Sequence, residues 1–519
     1  MTTQQSVPAA PRPWEKQALW ILMAGAAIIR IVYAIPEIPD GLFDDGYTTF
    51  RYAVNLVRGA GLVFNPGERV LGTTSPLFTF MLAGAGRVFG LGHLETIALI
   101  FNILASVGML YFTARILSEV GLEVEVKWAY LAVLAFLPSF LANGTSGMET
   151  PVVIFLMSLS LWLCIRNRLI AVAIVGVLLF LSRMDAGIWL LGLGIHLLLT
   201  KRERIIRDLT APLLVFLAGI SAWLIFAKAY FGSIIPQSIV GKAVSHGAFG
   251  MPDWRYVLQF LSAFIPAGRF GVWGLALIVV LFILLVPPAI RLSSRYPGLR
   301  PMLYFPPLYI GIFLSTRSPL FSWYVMPPKW AFYLLVTYGI WAVARWGRES
   351  FHLPFQPSQV MALIGIIVFA LGLNDVRSQL FNRTPNTWQI ISEMVDRNVQ
   401  PDGRVFLEHI GLFGYKTGRF IYDYMGLVTP ETTRLKRQYG TEWLTKGARE
   451  FNADVVILYP TDIPLVQSTT DEDAVWFQKN YRHVKDYEAY GMVISVYFKN
   501  DSKQIVTGMT PASERATPN

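Results

Sequence analysis

Apolar residues come in blocks up to residue 374: 18–35, 95–115, 127–141, 151–165, 169–182, 186–200, 209–230, 271–291, 301–316, 327–345 and 357–374. A helix needs roughly 20 apolar residues to cross a hydrocarbon core, and a backbone in lipid must satisfy its own hydrogen bonds. The blocks therefore predict a polytopic α-helical membrane protein with about 11 transmembrane helices. Several blocks are short, so some of those helices are expected to be tilted, broken or partly interfacial.

The polar connectors set the direction of the spans. "RNR" (166–168), "KRERIIR" (201–207), "RLSSRYPGLR" (291–300) and "ARWGRE" (344–349) are basic, and basic short loops stay cytoplasmic. The N-terminal tail, with Arg12 and Lys16, fits the same side. Residues 36–94, 142–150, 183–185, 231–270, 317–326 and everything after about 375 are then extracytoplasmic. "SPLFTFMLAGAGRVFG" (75–90) would reverse every later loop if it spanned, so it is expected to be an interfacial or re-entrant helix. The first block ends in "PEIPDG" rather than a small-residue cleavage site and is expected to be a retained span.

The pattern changes after residue 381. "RVFLEHI" (404–410), "ADVVILY" (453–459) and "GMVISVYF" (491–498) predict strands, whereas "TWQIISEMVDRN" (387–398) and "TEWLTKGAREF" (441–451) predict helices. The expected organisation is a transmembrane module over 1–381 with a large first outer loop, 36–94. A small extracytoplasmic α/β domain follows over 382–500, then a disordered tail, 501–519.

Composition sharpens this picture. The chain is 54% hydrophobic and 15% charged, with a mean hydropathy of +0.47, against about a quarter charged in soluble domains. Its net charge of +10 resides largely in the basic connectors, so it is read as topology rather than as a nucleic-acid surface. The one cysteine, Cys164, excludes an intrachain disulfide. Composition does not give the oligomeric state.

The unusual polar groups gather on the outer side. In "DDGYTTFRYAVNLVRG", Phe50, Ala53, Val54 and Val57 share one helical face, and an Asp before them could cap that helix. Capping accounts for one acid; Asp44 beside Asp45 leaves at least one for catalysis or metal coordination. Glu68, beside Arg69 after the turn at Pro66-Gly67, is either a surface charge or a sugar contact. Glu149 lies at a helix start in "NGTSGMETP" and is a cap or a ligand group. Arg183 and Asp185 in "SRMDAG" form a structural ion pair or part of a site, since ionisable groups near membrane depth are costly. Lys242, followed by His246, and the group Arg317, Trp323, Tyr324 and Lys329 are either interfacial anchors or contacts to an anionic lipid headgroup. Outer acids, outer cations and aromatics together suit a lipid-phosphate-linked donor. A carboxylate would deprotonate an acceptor hydroxyl while cations stabilise the departing phosphate.

The order of these segments carries a resemblance. "FDDGYTTFRYAVNLVRGAGLVFNPGERVLGTTSPL", "TSGMET", "RMDAG", "PQSIVGK", "WYVMPP" and "EHIGLFGYKTGRFIYDYMGLVTPE" (408–431) succeed one another along nearly the whole chain. In this the chain resembles the GT-C superfamily of polyprenyl-phosphate-sugar-dependent membrane glycosyltransferases, nearest to the group of mycobacterial terminal arabinofuranosyltransferases. The resemblance implies an inverting transfer from a polyprenyl-phosphate sugar to a cell-envelope glycan, lipid or protein on the outer face of a prokaryotic plasma (inner) membrane. It implies Asp44 as the base, with Asp45 the alternative base or partner. Some members bind a divalent cation near these acids, which makes Asp44 and Asp45 the candidate metal ligands as well. Arg183, Lys242, Arg317 and Lys329 become candidate donor-phosphate contacts. Glu68, Glu149, Asp185, Trp323, Tyr324 and His409 become candidate sugar or acceptor contacts. The chain departs from the pattern at Met184, where relatives commonly carry Pro. The rival classes are a lipid or solute transporter or flippase and a transferase of another group, such as phosphoethanolamine. One-sided placement of the special residues argues against a carrier, which usually shows repeated halves.

Overall fold

A computed structural model describes residues 13–246, 254–264, 270–317, 321–382, 386–489 and 491–500. The expected tail 501–519 and residues 318–320 of the "TRSPLFSWYVMPPKW" segment lie outside the described residues, as does the side chain of His246. Each apolar block is helical, as one helix or two. Among the described residues, five helices are long and apolar enough to cross a membrane: Pro13–Ala34, Leu91–Glu119, Arg202–Phe231, Gly271–Arg295 and Pro357–Phe381. The other blocks are helical but shorter or more charged, as in Thr150–Ile165, Leu169–Ser182 and Met326–Phe351. The block 127–141 is two helices, Val124–Phe136 and Pro138–Asn143, because Leu137 before the proline is extended. "SPLFTFMLAGAGRVFG" contains a helix, Pro76–Phe89, of 14 residues.

Packing divides the chain into two compact units. The first comprises Met1–Pro36, Leu99–Ser221 and Phe249–Arg383. It is a helical bundle whose core holds Trp189, Trp330 and Tyr309, all nearly inaccessible. The second comprises Glu37–Ala98, Ala222–Ala248 and Thr384–Asn519. Residues 37–98 and the "PQSIVGK" segment thus pack with the C-terminal segment.

The second unit contains one five-stranded sheet, β1 (Val405–Leu407), β2 (Ile421–Asp423), β3 (Val455–Leu458), β4 (Tyr481–Ala489) and β5 (Met492–Lys499), in the order β2-β1-β3-β5-β4. β1 is parallel to both β2 and β3, and the remaining pairs are antiparallel. The short strands β1 and β3 are buried along their whole length, as parallel strands covered on both faces should be. Phe406, Val456, Leu458, Trp443, Phe451 and Phe477 form the core on one face.

Residues 37–98 are built into this unit through polar groups. Asn65 closes the outer edge of β2, donating to the Ile421 carbonyl at 2.9 Å and accepting from the Ile421 amide at 3.1 Å. An exposed strand edge is thereby covered. Arg51, on the helix Asp44–Val57, donates to the carbonyls of Phe64 (2.7 Å), Gly414 (2.9 Å) and Arg419 (2.5 Å). Its guanidinium also lies 4.2 Å from the Phe64 ring centroid. Among the described residues no carboxylate pairs with it, and its burial rests on carbonyl and amide oxygens. The helix buries Tyr47, Phe50, Tyr52 and Ala53 completely. Burial of Phe50 alone is worth about 1.5–3 kcal/mol.

Candidate functional site

Asp44 and Asp45 both lie in the first turn of the helix Asp44–Val57, as the pattern predicts. They do not cap it. The N-cap position is Phe43, and no side chain bonds the free amides there. The Asp44 carboxylate instead reaches a different helix, Ile410–Thr417. Its Oδ2 accepts from the Gly411 amide at 3.2 Å and its Oδ1 from the Leu412 amide at 2.8 Å. A carboxylate at a helix N-terminus meets both unsatisfied donors and the positive end of the dipole. Burial nevertheless pushes the Asp44 carboxyl above its usual range, against the opposing pull of His409 and the two amides. Asp45 is also partly exposed, but its carboxylate makes no hydrogen bond or ion pair among the described residues.

His409 stands at the N-cap position of the same short helix, without a side-chain cap. Its ring stacks on Trp388, with centroids 4.7 Å apart at 12°. Its Nδ1 is hydrogen-bonded to the Tyr459 hydroxyl. Glu68 accepts from Asn65 Nδ2 at 3.2 Å, and burial raises its carboxyl. Arg69 lies over the Tyr230 ring at 4.7 Å.

Lys242 sits on the helix Gln237–His246. That helix is held by Gln237, whose side chain donates to the Gly426 carbonyl at 3.0 Å, and by Ser245, which donates to the Met425 carbonyl at 3.2 Å. Gly241 makes the approach feasible, since a Cβ there would lie 2.6 Å from the Gly426 oxygen. The segment therefore packs on the loop after β2.

In the first unit, Arg183 is extended between the helix Leu169–Ser182 and the turn Met184–Ala186. It forms a bidentate pair with Asp185, Nε to Oδ1 at 2.9 Å and Nη2 to Oδ2 at 2.5 Å. Nη1 donates to the Trp323 carbonyl at 3.1 Å and to Thr150 Oγ1 at 3.3 Å. Glu149 Oε1 lies 3.8 Å from Nε, and Tyr309 donates to Asp185 Oδ2 at 3.0 Å. The Arg183 side chain is only 3% exposed. Arg183 is thus engaged by protein groups rather than held open for phosphate. Glu149, at the N-cap position of Thr150–Ile165, makes no side-chain cap and belongs to this network instead. Tyr324 lies under the guanidinium at 5.0 Å, and Trp323 stacks on Phe321 at 4.7 Å. Arg317 ends the helix Arg300–Thr316 in a left-handed conformation, φ +47°. Lys329 lies in the first turn of Met326–Phe351, partly buried; among the described residues its ammonium has no hydrogen-bond or ion-pair partner.

Both Asp44 oxygens accept from amides, and among the described residues no three His, Cys, Asp or Glu side chains come together to hold an ion.

Several polar residues were not anticipated. Thr150 and Tyr309 complete the Arg183 network. Glu95 accepts from Tyr47 at 2.7 Å and from Lys416 at 2.9 Å. Asp423, Lys436 and Asp462 surround the ends of the strands. Asp423 and Lys436 lie in or next to the quoted 408–431 segment, but only the sheet order shows which groups that segment meets.

Known proteins agree with this architecture. A family model described as "Domain of unknown function (DUF8728)" matches residues 377–506. The terminal β-(1→2)-arabinofuranosyltransferase of Mycobacterium tuberculosis is 27% identical over 280 residues, 50% of this chain and 43% of its own length. That of Corynebacterium glutamicum is 29% identical over 311 residues, 49% of this chain and 41% of its own length. The chain thus spans under half the length of these relatives. Among solved structures, ArnT from Cupriavidus metallidurans superposes with a TM-score of 0.57 at 12% identity, covering 93% of this chain and 98% of that one. The Archaeoglobus fulgidus oligosaccharyltransferase, tethered to an acceptor peptide, gives 0.54 at 11%, covering 92% of this chain and 74% of that one. The fold is that of GT-C membrane glycosyltransferases, and the resemblance drawn from the motifs is supported.

Proposed function

We propose that this membrane protein transfers a sugar from a polyprenyl-phosphate carrier to a cell-envelope acceptor at the outer face of the plasma membrane. The observation that carries the proposal is the division of labour between adjacent acids. Asp44 is fixed across two helix amides, while Asp45 beside it is partly exposed and unengaged. A general base must have its lone pairs open to the proton it removes. Asp45 is therefore the base for the acceptor hydroxyl, reversing the order the resemblance implies, and Asp44 is a positioning residue. Attack of the deprotonated oxygen on the anomeric carbon breaks the bond to phosphate and inverts the centre. Polyprenyl phosphate leaves as an anion, which needs cations rather than an acid.

Lys242, in the same compact unit as Asp45, is the candidate for that role. The Arg183–Asp185–Glu149 network holds the loop that carries Trp323 and Tyr324, which supply apolar faces for a sugar. The orientation of the spans, with basic connectors inside, is part of the same proposal.

The test uses purified protein in nanodiscs with a panel of polyprenyl-phosphate sugars, following release of polyprenyl phosphate by mass spectrometry. One donor should be turned over by the wild type, and Asp45→Asn should reduce kcat by at least about a hundredfold with donor binding retained. Failure of every donor in the presence of envelope acceptors, with donor binding intact, would remove the transferase assignment.

A further inference from the structure

The small sheet of the second unit has the topology of a binding edge. From β1 the chain crosses to β2 on one side, and from β3 it proceeds to β4 and β5 on the other. The carboxyl ends of β1 and β3 therefore flank a switch point, the place where open α/β sheets take ligands. Glu408 and His409 follow β1 directly; Tyr459 and Asp462 follow β3.

In such sheets the helix N-terminus after the first strand commonly takes an anion. Here that position is filled from within. Asp44 occupies the amides of Gly411 and Leu412, and a Cβ on Gly411 would overlap the Asp44 backbone. An anionic ligand has no helix terminus left to it.

The groups that remain around the edge are mostly acids, and all but one are satisfied. Asp462 accepts from the Tyr459 amide at 3.0 Å and from the Tyr424 hydroxyl at 2.8 Å. Asp423 accepts from the amides of Met425, Leu427 and Val428. Lys436 donates to Ser245 Oγ at 2.8 Å and lies over the rings of Tyr424 (4.7 Å) and Trp443 (4.4 Å). Glu408 is the exception. It is half-buried at the end of β1, within the field of His409, Asp462 and Lys436, and its carboxylate accepts no hydrogen bond among the described residues. Burial raises its carboxyl above the usual range. A half-buried carboxylate without donors carries a desolvation cost that a ligand's donors would relieve.

We propose that the carboxyl edge of β1 and β3 is a glycan-binding site in which Glu408 accepts hydrogen bonds from vicinal hydroxyls of a neutral, polyhydroxylated ligand. Carboxylate bonds to hydroxyls are short and charge-assisted, which gives both strength and direction. Lys436 supplies the complementary donor to ring or hydroxyl oxygens. The surrounding acids disfavour a uronic or phosphorylated sugar. The site extends the transferase assignment, on which its identification with the acceptor glycan rests, but binding itself can be measured without turnover.

The experiment titrates the full chain in nanodiscs with neutral arabino- and galacto-oligosaccharides and, in parallel, a galacturono-oligosaccharide of equal length. Saturation-transfer NMR gives the affinities. The neutral sugars should bind the wild type, and Glu408→Ala should weaken them about tenfold or more. Glu408→Gln, which keeps one acceptor oxygen without the charge, should weaken them less. Circular dichroism should show both variants folded as the wild type is. Donor hydrolysis to water should also be unchanged, so its absence in the wild type would count against the transferase assignment and not against this site. Equal affinity in wild type and Glu408→Ala, binding of the galacturono-oligosaccharide as tight as that of the neutral sugars, or no binding to the wild type would overturn the proposal.

Discussion

Asp44 and Leu412 are 368 positions apart in the chain, yet the carboxylate of one accepts the backbone amide of the other at 2.8 Å. The contact joins the helix Asp44–Val57 to the short helix that follows β1 of the C-terminal sheet. It fixes the backbone that carries Asp45, so one acid of the pair serves the geometry of its neighbour. Like charges side by side are unfavourable. The two amides and the helix dipole compensate Asp44.

Removing that contact should loosen the short helix without abolishing the fold. In Asp44→Ala, hydrogen exchange over 410–417 should accelerate roughly tenfold to a hundredfold, the equivalent of about 1.5–3 kcal/mol for bonds to a charged group. Asp45→Asn should leave exchange there unchanged. Equal protection in Asp44→Ala would mean that the helix is held by other contacts.

Gly411 admits the approach. A Cβ at this position would overlap the Asp44 backbone, which is not a flexible neighbour. Gly411→Ala should therefore cost about 1–3 kcal/mol in unfolding free energy, as overpacking does. Gly92→Ala is the control, because a Cβ there meets nothing within 4 Å and its backbone is ordinary; it should fall within about 0.5 kcal/mol of wild type. Denaturant titration of the two variants side by side checks the difference.

Arg183 and Asp185 make a planar, bidentate pair in a nearly inaccessible site. Lysine cannot reproduce that fork. Arg183→Lys should thus behave almost like Arg183→Met, and Asp185→Asn, which leaves a buried guanidinium underpaired, should cost about 3–5 kcal/mol. If Arg183 served mainly as a point charge for phosphate, Arg183→Lys would keep most activity. Thermal unfolding together with donor KM separates the two roles.

The apolar blocks made most of the bundle legible, since a helix in lipid is written in uninterrupted hydrophobicity. Leu169–Ser182 starts and stops where the pattern does. Asn386, whose side chain accepts from the Trp388 amide, likewise marks the start of Thr387–Asn398. The small sheet was only partly legible. β2 is three residues long and β4 is polar along one face, "YRHVKDYEA", so neither carries a strong signal. The motif residues were visible as chemistry but their partners were not. Nothing local in "SRMDAG" announces Tyr309, and nothing in "FDDGY" announces Gly411, because both contacts depend on tertiary packing.

Lys436 gives a titration that tests the edge of the sheet directly. Burial lowers its ammonium to about 8 from the ordinary 10.5, and Asp423, Glu408 and Asp462 hold it from falling further. The folded chain then releases a proton that the unfolded chain keeps between pH about 8 and 10.5. Stability should therefore rise with pH across that window, and this contribution should be lost as pH falls through about 8. Reductively methylated lysine followed by NMR should show one resonance moving near pH 8 that is absent in Lys436→Arg. Glu408→Gln should lower that midpoint, since it removes one of the three acids that favour the charged form. A midpoint near 10.5 would mean that Ser245, Tyr424 and Trp443 leave the ammonium open to water.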